Sequence, residues 1–580
     1  MIRTLLKRVR EYKKESLLSP FFIALEVVLE CLIPLVMAVL IDEMTEHTMA
    51  PILKYGMILL AMAALSLVFG VLSGKKAATA SCGFAKNLRQ DLYFKVQDFS
   101  FADIDRFSTS SLVTRLTTDV TNVQNAYQMM IRIAVRTPLM LLFSVVMSLT
   151  ISPRMSVIFL VMIPLIGVAL FIIMNKVFPI FKRIFKKYDA MNNSVQENIA
   201  GIRDVKSFVR ETYETEKFKQ TSDEVRRDFT RAEKILALSS PGMTLCIFAA
   251  ILLVSYFGAQ LIINSGGTEL TTGQLSSLLN YGIQILISMM MLSMVIVMTS
   301  MAIESANRIT EVLEQESSLP NVENGETEVA DGSVVFDCAS FRYSGKSQKN
   351  ALENIDFTIR SGETVGIIGG TGAAKTTLIQ LISRLYDATE GRVLVGGKDV
   401  KAYDLTALRN AVSVVLQKNI LFSGTIKENL RWGDPNATDA ELVRACELAQ
   451  ADEFIRQLPD QYDTYIERGG TNVSGGQKQR LCIARALLKK PKILILDDST
   501  SAVDTKTDAL IRKALQEEIP GTTKIIIAQR VASVEAADRI IVLDGGKIVE
   551  QGTHADLMQQ NGIYREVQDS QTGGKEAQYA

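Results

Sequence analysis

Long apolar runs fill the first half of the chain, whereas charged and apolar positions are mixed in the second half. Six stretches before about residue 312 are apolar over roughly 20 residues, the length that an α-helix needs to cross a hydrocarbon core. They lie near residues 17–41, 52–73, 133–152, 155–176, 241–263 and 279–303. We therefore predict six transmembrane helices followed by a soluble half.

The basic residues set the predicted orientation. Lysines and arginines cluster before the first span, which lacks the small-residue cleavage site of a signal peptide. Residues 75–130 and 176–240 are also rich in Lys and Arg, whereas 42–51 and 264–278 contain neither. Because cytoplasmic loops accumulate these residues, we expect the amino terminus and both basic stretches to be cytoplasmic. Helical periodicity in the two basic stretches predicts that the membrane helices continue into the cytoplasm.

A polar segment divides the chain. Residues 314–332 are acidic and are interrupted by Pro320, Gly325 and Gly332, which is typical of a linker. Beyond the linker, short apolar strands alternate with helical patterns and predict an α/β domain with a parallel sheet. The predicted organisation is a transmembrane domain over 1–313, a linker over 314–332, a soluble domain over 333–567 and a polar tail over 568–580.

Composition excludes some functions. The formal net charge is +0, which disfavours a nucleic-acid partner because binding to phosphate backbones normally needs a basic face. The cysteines lack metal-ligand spacing and do not suggest a disulfide framework, so we interpret them as structural thiols. They are Cys31, Cys82, Cys246, Cys338, Cys446 and Cys482.

A glycine-rich loop follows the apolar strand ETVGIIG. Backbone N–H groups in such a loop cradle nucleotide phosphates, Lys375 reaches the β/γ-phosphates and Thr376 ligates Mg²⁺. The phosphate-loop pattern has Gly at the position of Ala374, so the match fails at that residue. We predict ATP and Mg²⁺ as ligands, with this loop formed by Gly369, Gly370, Thr371, Gly372, Ala373, Ala374, Lys375, Thr376 and Thr377.

One further motif precedes this loop in the sequence, and several others follow it. They are Tyr343 in FRYSG, Gln417 in VVLQKN, ERGG at 467–470, VSGGQKQR at 473–480, Asp497 and Asp498 at the end of ILILDD, and Asp504 at the end of SAVD. With the six spans, this order resembles the exporter branch of the ATP-binding cassette (ABC) transporters. The resemblance extends from the first span to about Val567.

The resemblance implies a fold and roles for these residues. The fold is a six-helix transmembrane domain with long cytoplasmic helical extensions, fused to an α/β phosphate-loop nucleotide-binding domain. Tyr343 would stack on adenine, Gln417 would sense Mg²⁺, Asp497 would hold Mg²⁺, and the ERGG segment would be a coupling element. The signature residues that would present donors to a γ-phosphate are Ser474, Gly475, Gly476 and Gln477.

Two positions depart from the family pattern. The family has Glu as general base immediately after the Walker B aspartate, and this chain has Asp498. The family has His in the switch after the next strand, and this chain has Gln529. A shorter carboxylate lies on the order of an ångström farther back, which can cost ~10²-fold in rate, and Gln cannot carry a titrating proton. We expect the ATP site of this chain to bind better than it hydrolyses.

In this family, each ATP lies between the phosphate loop of one cassette and the signature of the other. Because VSGGQ is intact, we expect a heterodimer in which a second half-transporter supplies the competent base. The chain would be a multi-pass plasma-membrane subunit, with lipid around it and a cytoplasmic nucleotide-binding domain, that exports a drug, lipid or peptide. An ATP-gated channel or regulatory membrane protein and a soluble cassette ATPase are the alternatives.

Two features of the spans have two interpretations each. Glu26 and Glu30 lie four residues apart on one face of the first span. They either contribute to a path for cationic or polar cargo, or have a structural explanation, which is interhelical hydrogen bonding or a shallow position near the interface. A methionine cluster in the sixth span either lines an adaptable cavity or packs against lipid and neighbouring helices. It comprises Met289, Met290, Met291, Met294, Met298 and Met301.

Overall fold

A computed structural model of the chain describes residues 1–44, 49–322, 324–343 and 349–576. The chain forms two compact units. Unit 1 comprises Met1–Gln97 and Ser110–Gln315, and unit 2 comprises Asp98–Thr109 together with the chain from Glu316 onward. The short segment Asp98–Thr109 is therefore the only part of the first half, among the described residues, that groups with the second half.

The first half is helical. Six helical segments in the described ranges are long and apolar enough to cross a membrane, which confirms the six predicted spans. The helices also extend beyond these spans, as the periodicity of the basic stretches predicts. They are α1 (Ile2–Leu6), α2 (Lys13–Met44), α3 (Met49–Gln97), α4 (Phe101–Phe107), α5 (Thr109–Thr114), α6 (Val120–Ile151), α7 (Pro153–Ala200), α8 (Ile202–Ser207), α9 (Glu211–Leu236), α10 (Ser239–Ser265) and α11 (Thr272–Glu314).

Helix α2 contains a proline that perturbs its own hydrogen bonding, and α11 compensates for it. Pro34 has no N–H, so the Glu30 carbonyl one turn earlier loses its helical donor. The side-chain amide of Gln284 in α11 donates to that carbonyl at 3.5 Å, and the hydroxyl of Tyr281 donates to the neighbouring Cys31 carbonyl at 2.6 Å. Backbone groups inside a bilayer must be satisfied by protein, so these contacts hold α11 against α2 beside Pro34.

The first turn of α11 makes a close backbone contact with α2. A Cβ atom added at Gly273 would lie 2.0 Å from the carbonyl oxygen of Ala38. The same turn is fixed by Asp42, whose carboxylate accepts hydrogen bonds from the Gly273 N–H at 2.8 Å and from the Thr271 hydroxyl at 2.6 Å. The position therefore requires glycine because another backbone occupies the space of a side chain.

We predict that Gly273→Ala destabilises unit 1 whereas Gly242→Ala does not. Gly242 lies in α10 with nothing within 4 Å of an added Cβ, so its replacement only improves helix propensity. Overpacking at Gly273 is expected to cost about 1–3 kcal/mol. Thermal unfolding of the two variants in detergent measures the difference. Equal melting temperatures would contradict the close approach of α11 to α2.

Unit 2 contains a six-stranded sheet, a four-stranded sheet and a two-stranded ribbon in the described ranges. The strand orders are β12-β11-β3-β10-β9-β6, β2-β1-β4-β5 and β7-β8. The strands are β1 (Val334–Phe341), β2 (Leu352–Ile359), β3 (Thr364–Gly369), β4 (Glu390–Val395), β5 (Lys398–Asp399), β6 (Val412–Val415), β7 (Gly424–Thr425), β8 (Tyr465–Ile466), β9 (Ile493–Asp497), β10 (Thr523–Ile527), β11 (Arg539–Asp544) and β12 (Lys547–Gly552).

The six-stranded sheet confirms the predicted parallel sheet. Strands β11, β3, β10, β9 and β6 pair in parallel, and β12 pairs antiparallel at one edge. Its helices and those of the other sheets are α12 (Lys375–Ile382), α13 (Leu405–Ala411), α14 (Ile426–Leu430), α15 (Asp439–Leu448), α16 (Asp452–Arg456), α17 (Gly475–Leu488), α18 (Thr505–Glu518), α19 (His554–Gln559) and α20 (Ile563–Glu576).

The central strands explain why the site forms where it does. All residues of β9 are buried, and β3 and β10 are almost completely buried, so each appears in the sequence as an apolar run. Strand β10 pairs with β3 on one side and with β9 on the other. The loops after these three parallel strands therefore meet at one edge of the sheet, where ligands bind in open α/β sheets.

Candidate functional site

The phosphate loop joins β3 to α12. Lys375 is the first residue of α12, and its ammonium group donates to the carbonyl oxygens of Gly369 at 2.7 Å and Gly370 at 2.9 Å. Burial lowers the pKa of Lys375, and the nearby carboxylates of Asp497 and Asp498 oppose that shift. The loop thus places a lysine over the N-terminus of a helix, which is a favourable position for a phosphate.

Ala374 occupies the N-cap of α12 in the left-handed conformation, with φ +66° and ψ +25°. Glycine adopts this conformation without strain, whereas a Cβ atom makes it costly by roughly 1–2 kcal/mol. Gly372, two residues before Ala374, also has a positive φ, of +86°. The backbone at both positions therefore has the left-handed conformation that glycine adopts most easily, and the Ala374 backbone is strained by it.

Asp497 ends β9 and faces the phosphate loop. The Thr376 hydroxyl donates to its carboxylate at 2.8 Å, and only 2% of the residue is exposed. Burial raises the pKa of Asp497, the Asp498 charge adds to this shift, and Thr376 and Lys375 act against it. A carboxylate and a hydroxyl oxygen this close together fit a magnesium ion, which takes one or two carboxylates and completes its shell with substrate phosphates and water.

Asp498 follows directly and has a left-handed backbone, with φ +48°. Its Oδ2 atom accepts hydrogen bonds from the side-chain amides of Gln529 at 3.0 Å and Gln417 at 3.3 Å. Its backbone N–H donates to the Ile527 carbonyl at 2.9 Å. The structure therefore brings together the predicted base position, switch position and Gln417, and it directs two amide donors at one carboxylate oxygen.

The loop that carries Gln529 is held by a residue that sequence analysis missed. The side-chain amide of Gln571 in α20 donates to the Gln529 carbonyl at 2.8 Å and accepts from the Val531 N–H at 3.0 Å. Residues 568–576 belong to α20, so most of the polar tail of the sequence analysis is helical. A polar tail gave no signal for this contact because it depends on how α20 packs.

Tyr343 lies beside the helix that starts at the phosphate loop. Its hydroxyl is 2.9 Å from the Thr377 hydroxyl, and its ring packs edge-on against Tyr386 with centroids 5.4 Å apart. The Tyr386 hydroxyl in turn donates to Asp105 of α4 at 3.0 Å. A chain of direct contacts thus runs within unit 2 from α4 through two tyrosines to α12.

The signature residues begin α17. Ser474 is the N-cap, and its hydroxyl accepts from the Gln477 N–H at 3.3 Å while the Gln477 side chain accepts from the Ser474 N–H at 2.8 Å. Gly476 packs so closely that an added Cβ would lie 2.9 Å from the Ala502 carbonyl oxygen, and one at Gly475 would lie 3.5 Å from the Ala502 side chain. The capping box leaves a positive helix end flanked by glycines.

The structure also shows the surroundings of the ERGG segment, Asp504, the cysteines and one of the two histidines. Glu467 is held by Thr471 at 2.6 Å, and the Gly469 N–H donates to the Leu421 carbonyl at 3.1 Å, which ties the ERGG segment to the segment after Gln417. Asp504 caps α18. The six cysteines are free thiols. His554 contacts the Tyr564 hydroxyl at 2.7 Å, and His47 lies outside the described residues.

The methionine cluster divides between packing and exposed positions. Met289 is buried with Ile166, Met243 and Leu286, whereas Met290, Met291, Met294 and Met298 are exposed. The side chain of Met301 lies outside the described part of the chain. Exposed apolar side chains on a membrane helix are expected where the helix faces lipid or a partner.

Comparisons with known proteins identify the family. Residues 16–302 match the model of the ABC transporter transmembrane region, and residues 352–501 match the model of the ABC transporter. The chain belongs to the ABC transporter family. This assignment makes it a multi-pass membrane protein with a cytoplasmic nucleotide-binding domain, and its cassette an ATP-binding domain of the type that couples ATP hydrolysis to transport.

Relatives of this ABC transporter extend over almost the whole chain. An uncharacterized ABC transporter ATP-binding protein of Bacillus subtilis (strain 168) is 36% identical over 552 residues, covering 94% of this chain and 95% of that protein. A probable multidrug resistance ABC transporter ATP-binding/permease protein of the same organism is 34% identical, covering 75% and 74%. A bacterial Atm1-family ABC exporter with ATP bound has the same fold, with a TM-score of 0.80, 24% identity and 98% coverage of both chains.

The strained loop residue of this ABC transporter generates a prediction. Ala374→Gly removes the left-handed strain without removing a hydrogen-bonding group, so we expect it to tighten ATP binding and to raise the unfolding free energy by about 1 kcal/mol. Equilibrium binding of a non-hydrolysable ATP analogue and thermal unfolding measure the two effects.

Ala373 provides the matched control for this change. It lies in the same loop, is buried and does not have a positive φ. Ala373→Gly adds chain entropy and removes a buried methyl group, so it is expected to weaken binding or leave it unchanged. Equal gains from both glycines, or no gain from Ala374→Gly, would contradict the strain argument.

Proposed function

We propose that this ABC transporter is the subunit of a heterodimeric exporter whose own ATP site holds nucleotide but hydrolyses it poorly. Its signature would complete the catalytic site on a second half-transporter chain. ABC exporters commonly act as dimers, which is consistent with the need for a partner. The domain boundaries and site residues predicted above are part of this proposal.

The observation that carries the proposal is the pairing of Asp498 with Gln529. A general base must reach the attacking water through a free lone pair, and proton transfer of this kind contributes about 10²–10⁴-fold. At Asp498 the carboxylate is one methylene shorter than Glu, and its Oδ2 atom already accepts two amide hydrogen bonds. Gln529 supplies a donor and no titrating proton.

The rest of the site argues for retained nucleotide binding. Lys375 begins the helix after the phosphate loop, and Thr376 donates to Asp497 at 2.8 Å, which supports the phosphate and Mg²⁺ roles proposed for these three residues. When bound, Mg²⁺ neutralises charge on the β- and γ-phosphates. A site that keeps its phosphate and metal ligands but alters its base and switch is suited to holding ATP across a dimer interface.

The signature supports a catalytic contribution in trans. Ser474 and Gln477 form an intact capping box, and Gly475 and Gly476 keep side chains away from the helix end. Preorganised N–H and hydroxyl donors aimed at a transferring phosphoryl group contribute strongly to rate. These features would let the signature stabilise the γ-phosphate of ATP bound by a partner, whether or not this chain hydrolyses its own ATP.

The transported substrate belongs to the class of drugs, lipids or peptides. The printed name of one relative, a probable multidrug resistance ABC transporter ATP-binding/permease protein, supports the drug class.

The proposal predicts low ATP turnover by the purified chain reconstituted alone in lipid vesicles. Replacing both altered positions, Asp498→Glu with Gln529→His, should raise turnover by at least about tenfold because it restores the reach of the base and a titrating switch. Steady-state phosphate release at saturating Mg²⁺–ATP is the measurement.

A matched variant distinguishes the effect of the base on turnover from that of the switch residue. Asp498→Asn with Gln529→His restores the histidine but removes the carboxylate, so its turnover should stay at the level of the unmodified chain. Robust turnover by the unmodified chain, equal to that of the restored variant, would show that the site is competent as it stands and would overturn the proposal.

A further inference from the structure

An ion-pair cluster lies inside the membrane-spanning part of unit 1. One guanidinium nitrogen of Arg136 in α6 contacts the Glu26 carboxylate of α2 at 2.5 Å, and another contacts the Glu30 carboxylate at 2.7 Å. At a rise of about 1.5 Å per residue, both glutamates lie about 14–20 Å into a span that starts at residue 17. That is near the middle of a hydrocarbon core of about 30 Å.

One oxygen of this cluster is left without a donor. Glu26 is 7% exposed, and its Oε2 atom has no hydrogen-bond partner among the described residues. The Glu26 carboxylate rests against Gly70 of α3, where an added Cβ would lie 3.2 Å from both carboxylate oxygens. A buried anionic oxygen without a donor is costly, so it selects a ligand that brings one.

The surrounding charges define which ligand fits. Arg132 lies one helical turn before Arg136, and its guanidinium is 3.6 Å from the Cβ position at Gly74 of α3. With Arg132 included, the charges of the cluster balance. Selection therefore rests on the free anionic oxygen of Glu26, which favours a charged N–H donor both over a neutral amide and over a cation without an N–H group.

One edge of the cluster is accessible, although Glu26 itself is buried. The side chains of Glu30 and Arg136 are 25% and 34% exposed. Ionised groups at this depth face a bundle interior, a water-filled cavity or a partner, because exposure to lipid is too costly. A ligand entering from that side meets the Glu30 and Arg136 edge first, with Glu26 behind it.

We propose that Glu26, Glu30, Arg136 and Gly70 form a binding site for the protonated amine of an amphipathic molecule. The ammonium donates to Glu26 Oε2, and the apolar part of the ligand lies along α2 and α3. As a statement about cargo, this rests on the export function proposed above. As a statement about binding, it can be tested on the nucleotide-free chain.

The test uses the full chain in lipid nanodiscs made with phosphatidylglycerol, which has no amine. Dansylcadaverine carries a primary amine, and its N-acetylated derivative has the same fluorophore and linker without the charge. Empty nanodiscs correct for partitioning. We expect the amine to bind about tenfold more tightly than the acetylated probe, the discrimination expected from one hydrogen bond to a charged group.

Two variants remove the discrimination by different routes. Glu26→Gln removes the anionic acceptor, and Gly70→Ala keeps every charge but places a methyl group against the carboxylate. Both should lower amine affinity about tenfold, toward that of the acetylated probe. Glu304→Gln, at an exposed position of α11, is the matched control and should change nothing.

The outcomes separate a binding site from a structural ion pair. If the cluster only joins α2 to α6, then Glu26→Gln lowers the melting temperature while both probes bind equally well to every variant, and the proposal is wrong. A trimethylated probe that binds as tightly as the amine would also overturn it. Displacement of the amine by phosphatidylethanolamine would assign the site to a lipid headgroup, and retention would assign it to a soluble amphiphile. Both results support an amine site.

Discussion

The carboxyl end of β9 is the constraint on which the soluble half depends. Two carboxylates are adjacent in the sequence there, and a sharp turn of the backbone directs their side chains to different partners. Asp497 is buried against Thr376 of the phosphate-loop helix, whereas Asp498 takes a left-handed backbone and points to two glutamine amides. Because β9, β10 and β3 are neighbours, this turn lies at the same edge of the sheet as the phosphate loop and the loop that carries Gln529.

The membrane half depends on a related constraint, the satisfaction of polar groups in a medium without water. Helix α2 carries two kinds of such polar groups: the Glu30 carbonyl, which Pro34 leaves without its helical donor, and the two glutamate side chains. Helix α11 donates to the carbonyl through Gln284, and α6 pairs with the glutamates through Arg136. The exception is one oxygen of Glu26, and an exception of this kind in a membrane segment is where a ligand is most reasonably sought.

Much of this could be predicted from the sequence. The six spans and the parallel sheet are confirmed because length and apolar periodicity act locally. The family is shown by comparisons over almost the whole chain. The roles of the site residues remain predictions, since motif order gives proximity but not chemistry.

Long-range pairings could not be predicted. Arg136 follows Glu26 by 110 residues in the chain, so no local pattern joined them. The same holds for Gln571, which fixes the switch loop from a helix that the sequence showed only as a polar tail, and for α4, which groups with unit 2 although it lies between membrane helices.

The ATP site of this chain is proposed to hold nucleotide and to hydrolyse it poorly. The purified chain can be loaded with radiolabelled Mg²⁺–ATP at less than one equivalent and freed of unbound nucleotide, after which the chemical identity of the bound label is followed over time. We expect the label to stay bound and to remain ATP over many minutes. Rapid conversion of the bound label to ADP in the unmodified chain would contradict the proposal.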